Sequence, residues 1–133
     1  MKGVQPATAI ILFAHGSRVE EANERVRALA GRVQNEGGFA NVRTAFLEMA
    51  EPGLGRAIDE AVRAGARRVV VLPYFLTTGV HLRQDLPELL SRERVAHPEV
   101  EFLMTESLEG HPLLASILLE RIHEASAARG EAG

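Results

Sequence analysis

The sequence predicts an α/β protein: a four-stranded parallel sheet with helices on both faces, a three-layer sandwich. Two observations predict it. Short apolar runs are separated by amphipathic stretches along the whole chain, in the order βαβαβαβα. The runs are also continuously apolar rather than alternating, as strands buried on both faces are. Strands of that kind joined through helices imply a parallel sheet with two helix layers.

The elements follow in order. Ala7 to Ala14 (ATAIILFA) reads as a buried strand. Ser17 and Glu20 form a capping box that opens a helix, whose apolar residues Val19, Ala22, Val26, Leu29, Ala30 and Val33 recur at helical spacing. Gly37 and Gly38 end it. Val42 to Leu47 is a second strand. Pro52 suits the first turn of a second helix, with Leu54, Ile58, Ala61 and Val62 on its apolar face, and Gly65 stops it. Arg68 to Pro73 (RVVVLP) is the third strand, followed by a loop from Tyr74 to Gln84. Asp85 caps a third helix with Pro87 in its first turn and Leu86, Leu89, Leu90 and Val95 inward. Val100 to Met104 is the fourth strand. Pro112 opens a last helix whose Leu113, Leu114, Ile117, Leu118 and Ile122 face the core.

Right-handed crossovers leave few topologies for this order. The flavodoxin-like order 2-1-3-4 is the simplest. Strands 1 and 3 are then central neighbours, and ligands bind beyond the carboxyl ends of the strands at the switch between them.

Length and composition set the limits. The chain has 133 residues, enough for one core, so residues 1–126 are expected to form a single domain. The tail 127–133, rich in Ala, Gly and charge, is expected to be disordered. The net charge of -3 argues against a nucleic-acid partner, which usually calls for a basic face. Without cysteine the chain has no disulfide and no thiolate metal site. Any metal must sit on histidine, carboxylate or carbonyl oxygen. No apolar run is long enough for a signal peptide or a membrane span, so the expected location is the cytoplasm.

His15 directly follows strand 1, and His81 lies after strand 3. They are distant in sequence but flank the same switch point. Two imidazoles can hold Co, Ni, Fe or Zn, and a neutral imidazole can also take a proton. An unrelated pair of loop histidines is the plainer alternative. Gly16 lets the backbone approach a ligand. Ser17 has a sufficient task as a helix cap, with ligand contact as an addition, and Arg18 reads as a solvated first-turn residue. Glu48 and Glu51 follow strand 2 at the same end of the sheet. Either can complete a metal site or accept a proton, and Glu51 equally suits a helix start. The loop Leu76–Thr77–Thr78–Gly79–Val80–His81 is small and apolar and can lie flat against a large planar ligand. Together with Tyr74 and Phe75 it forms an exposed apolar patch, and such patches usually have partners. His97 and His123 carry no such expectation. His111 reads as a helix-entry residue at the functional end of the sheet, with a secondary role open.

At these residues the sequence resembles the small class II chelatases, the sirohydrochlorin cobaltochelatase family of CbiX type. The matching pieces are FAHGSR (Phe13 to Arg18), FLEMAEP (Phe46 to Pro52), LPYFLTTGVHLRQDLPELL (Leu72 to Leu90) and GHP (Gly110 to Pro112). They lie in the family's order over nearly the whole chain, and the combination of HGS with F-L-x-x-G-x-H is specific.

The resemblance implies a chelatase-like fold and insertion of a divalent metal into sirohydrochlorin during cobalamin synthesis. Co2+ is first choice, with Ni2+ and Fe2+ as alternatives. His15 and His81 would hold the metal, and His15 would also remove macrocycle protons. Glu51 and residues 76–81 would contact substrate, with a lesser claim for Glu48. The short forms are homodimers. The metal is a substrate, and no organic cofactor is implied. The P-L-G turn that often precedes the family's last helix is replaced here by Ser107–Leu108–Glu109, which puts the shape of that loop in question.

Two other readings share these residues. Histidine phosphatases also place a His-Gly after strand 1, but with an arginine before the histidine to hold phosphate, where this chain has Ala14. A non-catalytic metal or tetrapyrrole carrier would use the same ligands as an inserting enzyme.

Overall fold

A computed structural model describes residues 7–76 and 79–128, and for residues 80–82 the backbone only. Four parallel strands, β1 (Thr8–Ala14), β2 (Val42–Phe46), β3 (Arg68–Tyr74) and β4 (Glu101–Met104), form one sheet in the order β2-β1-β3-β4. The helices are α1 (Glu20–Gly37), α2 (Leu54–Arg63), α3 (Val80–Ala96) and α4 (Leu113–Ala128). The order matches the sequence reading, and β1 and β3 are central neighbours from Thr8↔Arg68 to Ala14↔Tyr74.

The core is asymmetric. Along β1, Ala9, Ile11 and Phe13 point into a cluster with Val69 and Val71 of β3 and Phe102 of β4. Leu54, Ala57, Ile58 and Ala61 of α2 and Leu86 and Leu90 of α3 close that cluster. Small alanines on α2 let the helix lie close to the sheet, while Ile58 and Leu90 fill the remaining volume. On the opposite face Ile10 and Leu12 are buried, but Val70 and Leu72 are only half-buried, and Leu103 is exposed.

Several local expectations are corrected. The helix after β1 begins at Glu20 with Val19 at its cap position and no side-chain cap. The Ser17 hydroxyl instead accepts the Val19 N–H at 3.0 Å, because the chain turns once more before entering the helix. Pro52 precedes α2 rather than opening it, with Gly53 at the cap. The carbonyl of Pro52 accepts the Phe46 N–H at 2.8 Å, which folds the β2–α2 loop back onto the strand. α3 starts at Val80, not at Asp85, so Pro87 lies inside the helix and residues 80–84 of the expected loop are helical. Val95 is on the solvent side.

The largest departure is α4. None of its residues is buried, and Leu113, Ile117, Leu118, Leu119 and Ile122 are all exposed. Its apolar surface does not reach this chain's core. The helix runs to Ala128, so residues 127–128 belong to it; the rest of the expected tail lies outside the described residues.

Candidate functional site

The carboxyl ends of β1 and β2 are joined by a short continuation of their ladder. Leu47 N–H donates to the Ala14 carbonyl at 2.9 Å, and Glu48 N–H to the His15 carbonyl at 3.0 Å. The backbone of the His15 segment is thereby pinned to the segment carrying Glu48. Gly16 makes this approach feasible. Its φ is +95°, and a Cβ there would stand 1.8 Å from the Glu48 carbonyl oxygen. Only glycine meets both conditions.

The His15 side chain is exposed and oriented from two sides. Its Nδ1 lies 3.6 Å from Glu48 Oε2. The Phe75 ring stands edge-on to the imidazole, with centroids 6.4 Å apart and planes at 83°. Phe75 in turn packs edge-on against buried Phe13 at 6.0 Å. The aromatic after β3 is therefore a wall of the His15 site rather than part of an exposed patch. Tyr74 is likewise half-buried, and Leu76 remains exposed.

A third support comes from α1. Asn23 is buried at 3% exposure. Its Oδ1 accepts the Ser17 N–H at 2.9 Å, and its Nδ2 donates to the Ser17 carbonyl at 2.8 Å and to Glu20 Oε1 at 3.0 Å. One amide thus satisfies both backbone groups of the residue two past His15. The hydrogen bond from Asn23, together with Arg27, holds the Glu20 carboxyl below its usual range. Arg27 also lies over the Phe46 ring at 5.3 Å, tying α1 to β2. Sequence reading missed Asn23. The available signal was a polar residue on the inward stripe of α1, two turns before buried Ala30.

Glu51 is well exposed, and its Oε1 lies 4.0 Å from Arg56 Nη1. Of the two acidic residues after β2, the structure thus brings Glu48, not Glu51, against the His15 ring. Arg18 is exposed. Thr77 and Thr78 lie outside the described residues. Gly79 occupies the cap position of α3, and its carbonyl accepts the Arg83 N–H at 3.1 Å. Val80 and His81 are the first two residues of α3. That helix follows β3, the neighbour of β1, so His81 enters at the same edge of the sheet as His15; its side chain is not described.

One strand further on, a groove of about 730 Å³ opens between the ends of β3 and β4 and the segment before α4. Arg83 of α3 and Glu109 meet at its rim at 2.8 Å. Glu109 belongs to the Ser107–Leu108–Glu109 segment that replaces the family's turn, so the departure installs an ion pair between that loop and α3. His111 also lines the groove, and its Nδ1 accepts the Leu113 N–H at 3.1 Å. This supports its reading as a helix-entry residue.

A parallel α/β sheet carrying an oriented imidazole at its topological switch defines a ligand-binding domain of the open-sheet class. Comparison with known proteins places it within that class. The CbiX family profile matches residues 9–125, and the chain belongs to the CbiX family. It is 31% identical to a sirohydrochlorin cobaltochelatase of Methanopyrus kandleri, over 88% of this chain and 96% of that one. It is 34% identical to the chloroplastic sirohydrochlorin ferrochelatase of Arabidopsis thaliana, over 98% of this chain but 58% of that one. Among solved structures, a CbiX protein from Marinobacter aquaeolei VT8 superposes with a TM-score of 0.78 at 30% identity, covering 91% of this chain and 98% of that one. SirB of Bacillus subtilis in complex with cobalt shares the fold at a TM-score of 0.80 and 24% identity, with 88% of this chain matching 50% of SirB. The chain thus spans nearly all of its short relatives and about half of the long ones.

Proposed function

We propose that the protein is a lyase that inserts a divalent metal, Co2+ in first place, into sirohydrochlorin during tetrapyrrole biosynthesis. The observation that carries this reading is His15. It lies at the switch point of a CbiX-family sheet, with Nδ1 turned toward Glu48 and one face against Phe75. A carboxylate beside Nδ1 favours the tautomer whose Nε2 lone pair is free for a metal.

In this reading His15 and His81 present the metal ion, a substrate, to one face of the macrocycle. As the dication enters, two pyrrole N–H protons must leave. His15 and Glu51 accept them, and Glu48 stabilises the imidazolium that forms. Imidazole, with an ordinary pKa near 6.5, can both take and release a proton at neutral pH. Residues 76–81, Ser17 and Arg18 contact the substrate. Relatives named for cobalt and for iron support both metals, so ferrous iron and nickel are the alternatives. The single domain, whose last helix runs to Ala128, acts in the cytoplasm. Among the described residues no helix is long and apolar enough to cross a membrane.

The protein works as a homodimer. The exposed leucines and isoleucines of α4, and a sheet face left half open over β3 and β4, support this. Each such side chain stabilises association by about 1.5–3 kcal/mol if fully buried.

The test is an anaerobic absorbance assay with sirohydrochlorin in excess over protein and Co2+, Fe2+ or Ni2+ in turn. Repeated turnover above the protein-free rate is expected, and His15→Ala should abolish it while leaving the circular dichroism unchanged. A change that stops at one equivalent would instead mark a carrier, and undiminished turnover by His15→Ala would overturn the site.

A further inference from the structure

Away from the His15 edge, three side chains from α2 and α3 converge. Asp59 lies on α2, Glu93 on the last turns of α3, and His97 caps α3. His97 leads into β4, which places the group near the amino end of that strand, at the opposite edge of the sheet from His15. His97 Nε2 is 2.9 Å from Asp59 Oδ1 and 4.0 Å from Glu93 Oε1. One ligand atom from each residue lies within 4.8 Å of the other two.

Three features distinguish this group from a solvated acidic patch. First, the donors are mixed. The imidazole is mostly buried, at 18% side-chain exposure, and its ring lies 6.4 Å from that of buried Phe102, so its direction is set by packing. Second, Glu93 and His97 stand four residues apart, a spacing that puts both on one side of a helix. Third, among the described residues neither Asp59 nor Glu93 pairs with an arginine. Burial, and then the charge of Asp59, hold the Glu93 carboxyl above its usual range.

We propose that Asp59, Glu93 and His97 form a second metal site, for a divalent ion of the zinc, cobalt or nickel type, that ties α2 to α3. An imidazole with two carboxylates favours such ions over Mg2+ and Ca2+, which prefer oxygen alone. Metal–ligand bonds of about 2.0–2.2 Å place tetrahedral donors about 3.4 Å apart. The two distances from His97 Nε2, 2.9 Å to Asp59 Oδ1 and 4.0 Å to Glu93 Oε1, lie on either side of that value. The bound ion takes the place of the hydrogen bond between His97 Nε2 and Asp59 Oδ1, any displaced proton passes to solvent, and water completes the coordination. The site is independent of the chelatase reading, since none of its ligands lies at the His15 edge.

The test is calorimetric titration of the full chain with Zn2+, and with Co2+ followed by its visible absorption, in a His15→Ala/His81→Ala background that removes the proposed insertion ligands. That double variant is expected to keep one equivalent of metal and to melt at a higher temperature when loaded. Adding His97→Ala should remove the equivalent, and adding Asp59→Asn, a same-shape change at an exposed position, should weaken binding at least tenfold. No uptake by the double variant would overturn the proposal. So would an equivalent that survives His97→Ala, or affinity untouched by Asp59→Asn.

Discussion

α2 and α4 are both short helices rich in aliphatic residues, and the chain treats them oppositely. Ile58 of α2 is wholly buried against Ile11, Val69 and their neighbours, whereas Ile117 of α4 is 52% exposed. The two faces of the sheet differ in the same way. The α2–α3 face is buried as far as Phe102 and opens only at Met104, at the end of β4. The other is covered by α1 over β1 and β2 and left half open over β3 and β4. An apolar helical stripe therefore says that a helix will be covered, but not by which chain.

The sharpest way to break this comparison is one substitution made in both helices. Ile58→Ala should lower the free energy of unfolding by about 2–5 kcal/mol, since it opens a cavity in a packed cluster; urea denaturation reads it. Asn23→Ala comes next. It deprives the Ser17 N–H and carbonyl of their side-chain partner, at about 1–3 kcal/mol. It should also lower kcat for metal insertion more than it raises KM, because His15 is displaced while the substrate face remains. Asn23→Asp can still accept the Ser17 N–H but sets a buried carboxylate against the Ser17 carbonyl and the Glu20 carboxylate, so it should lose at least as much as the alanine variant. A loss of stability with unchanged kcat would make the clamp purely structural.

Ile117→Ala should change unfolding by about 0.5 kcal/mol or less in dilute protein, where the helix has no partner. At higher concentration it should weaken the dimer seen by sedimentation. An effect as large as that of Ile58→Ala in dilute protein would mean that α4 packs on its own chain. The smallest expected effect belongs to Glu20, on the α1 side. Its folded pKa is depressed by Asn23 and Arg27. Its contribution is therefore present above the ordinary carboxylate range and is lost as pH falls through the lowered value. Melting temperature should fall more steeply with acid in the wild type than in Glu20→Gln.

The candidate site was legible in part. His15 could be placed because a strand end is easy to read; Gly16 was read as making room for a ligand, whereas the group that comes close is the Glu48 carbonyl. Asn23 was not legible, since its role depends on α1 bringing it back to Ser17. Phe75 was read as exposed, because nothing local reveals that Phe13 and His15 stand beside it. His97 carried no expectation, and only the packing of α2 on α3 brings Asp59 to it.

By itself the sequence determined the class, the order of elements, the parallel sheet and the edge where His15 sits. Continuous apolar runs and helical periodicity report burial directly, and crossover handedness does the rest. Tertiary structure alone decided where α3 begins. Asp85 and Pro87 suit a helix start by local preference, but packing Leu86 and Leu90 into the core is compatible with a helix that begins five residues earlier, and tertiary context overrides propensity. It also decided which residues orient His15 and where α4 lies. Those outcomes depend on contacts between segments distant in the chain, whose energies no local pattern encodes.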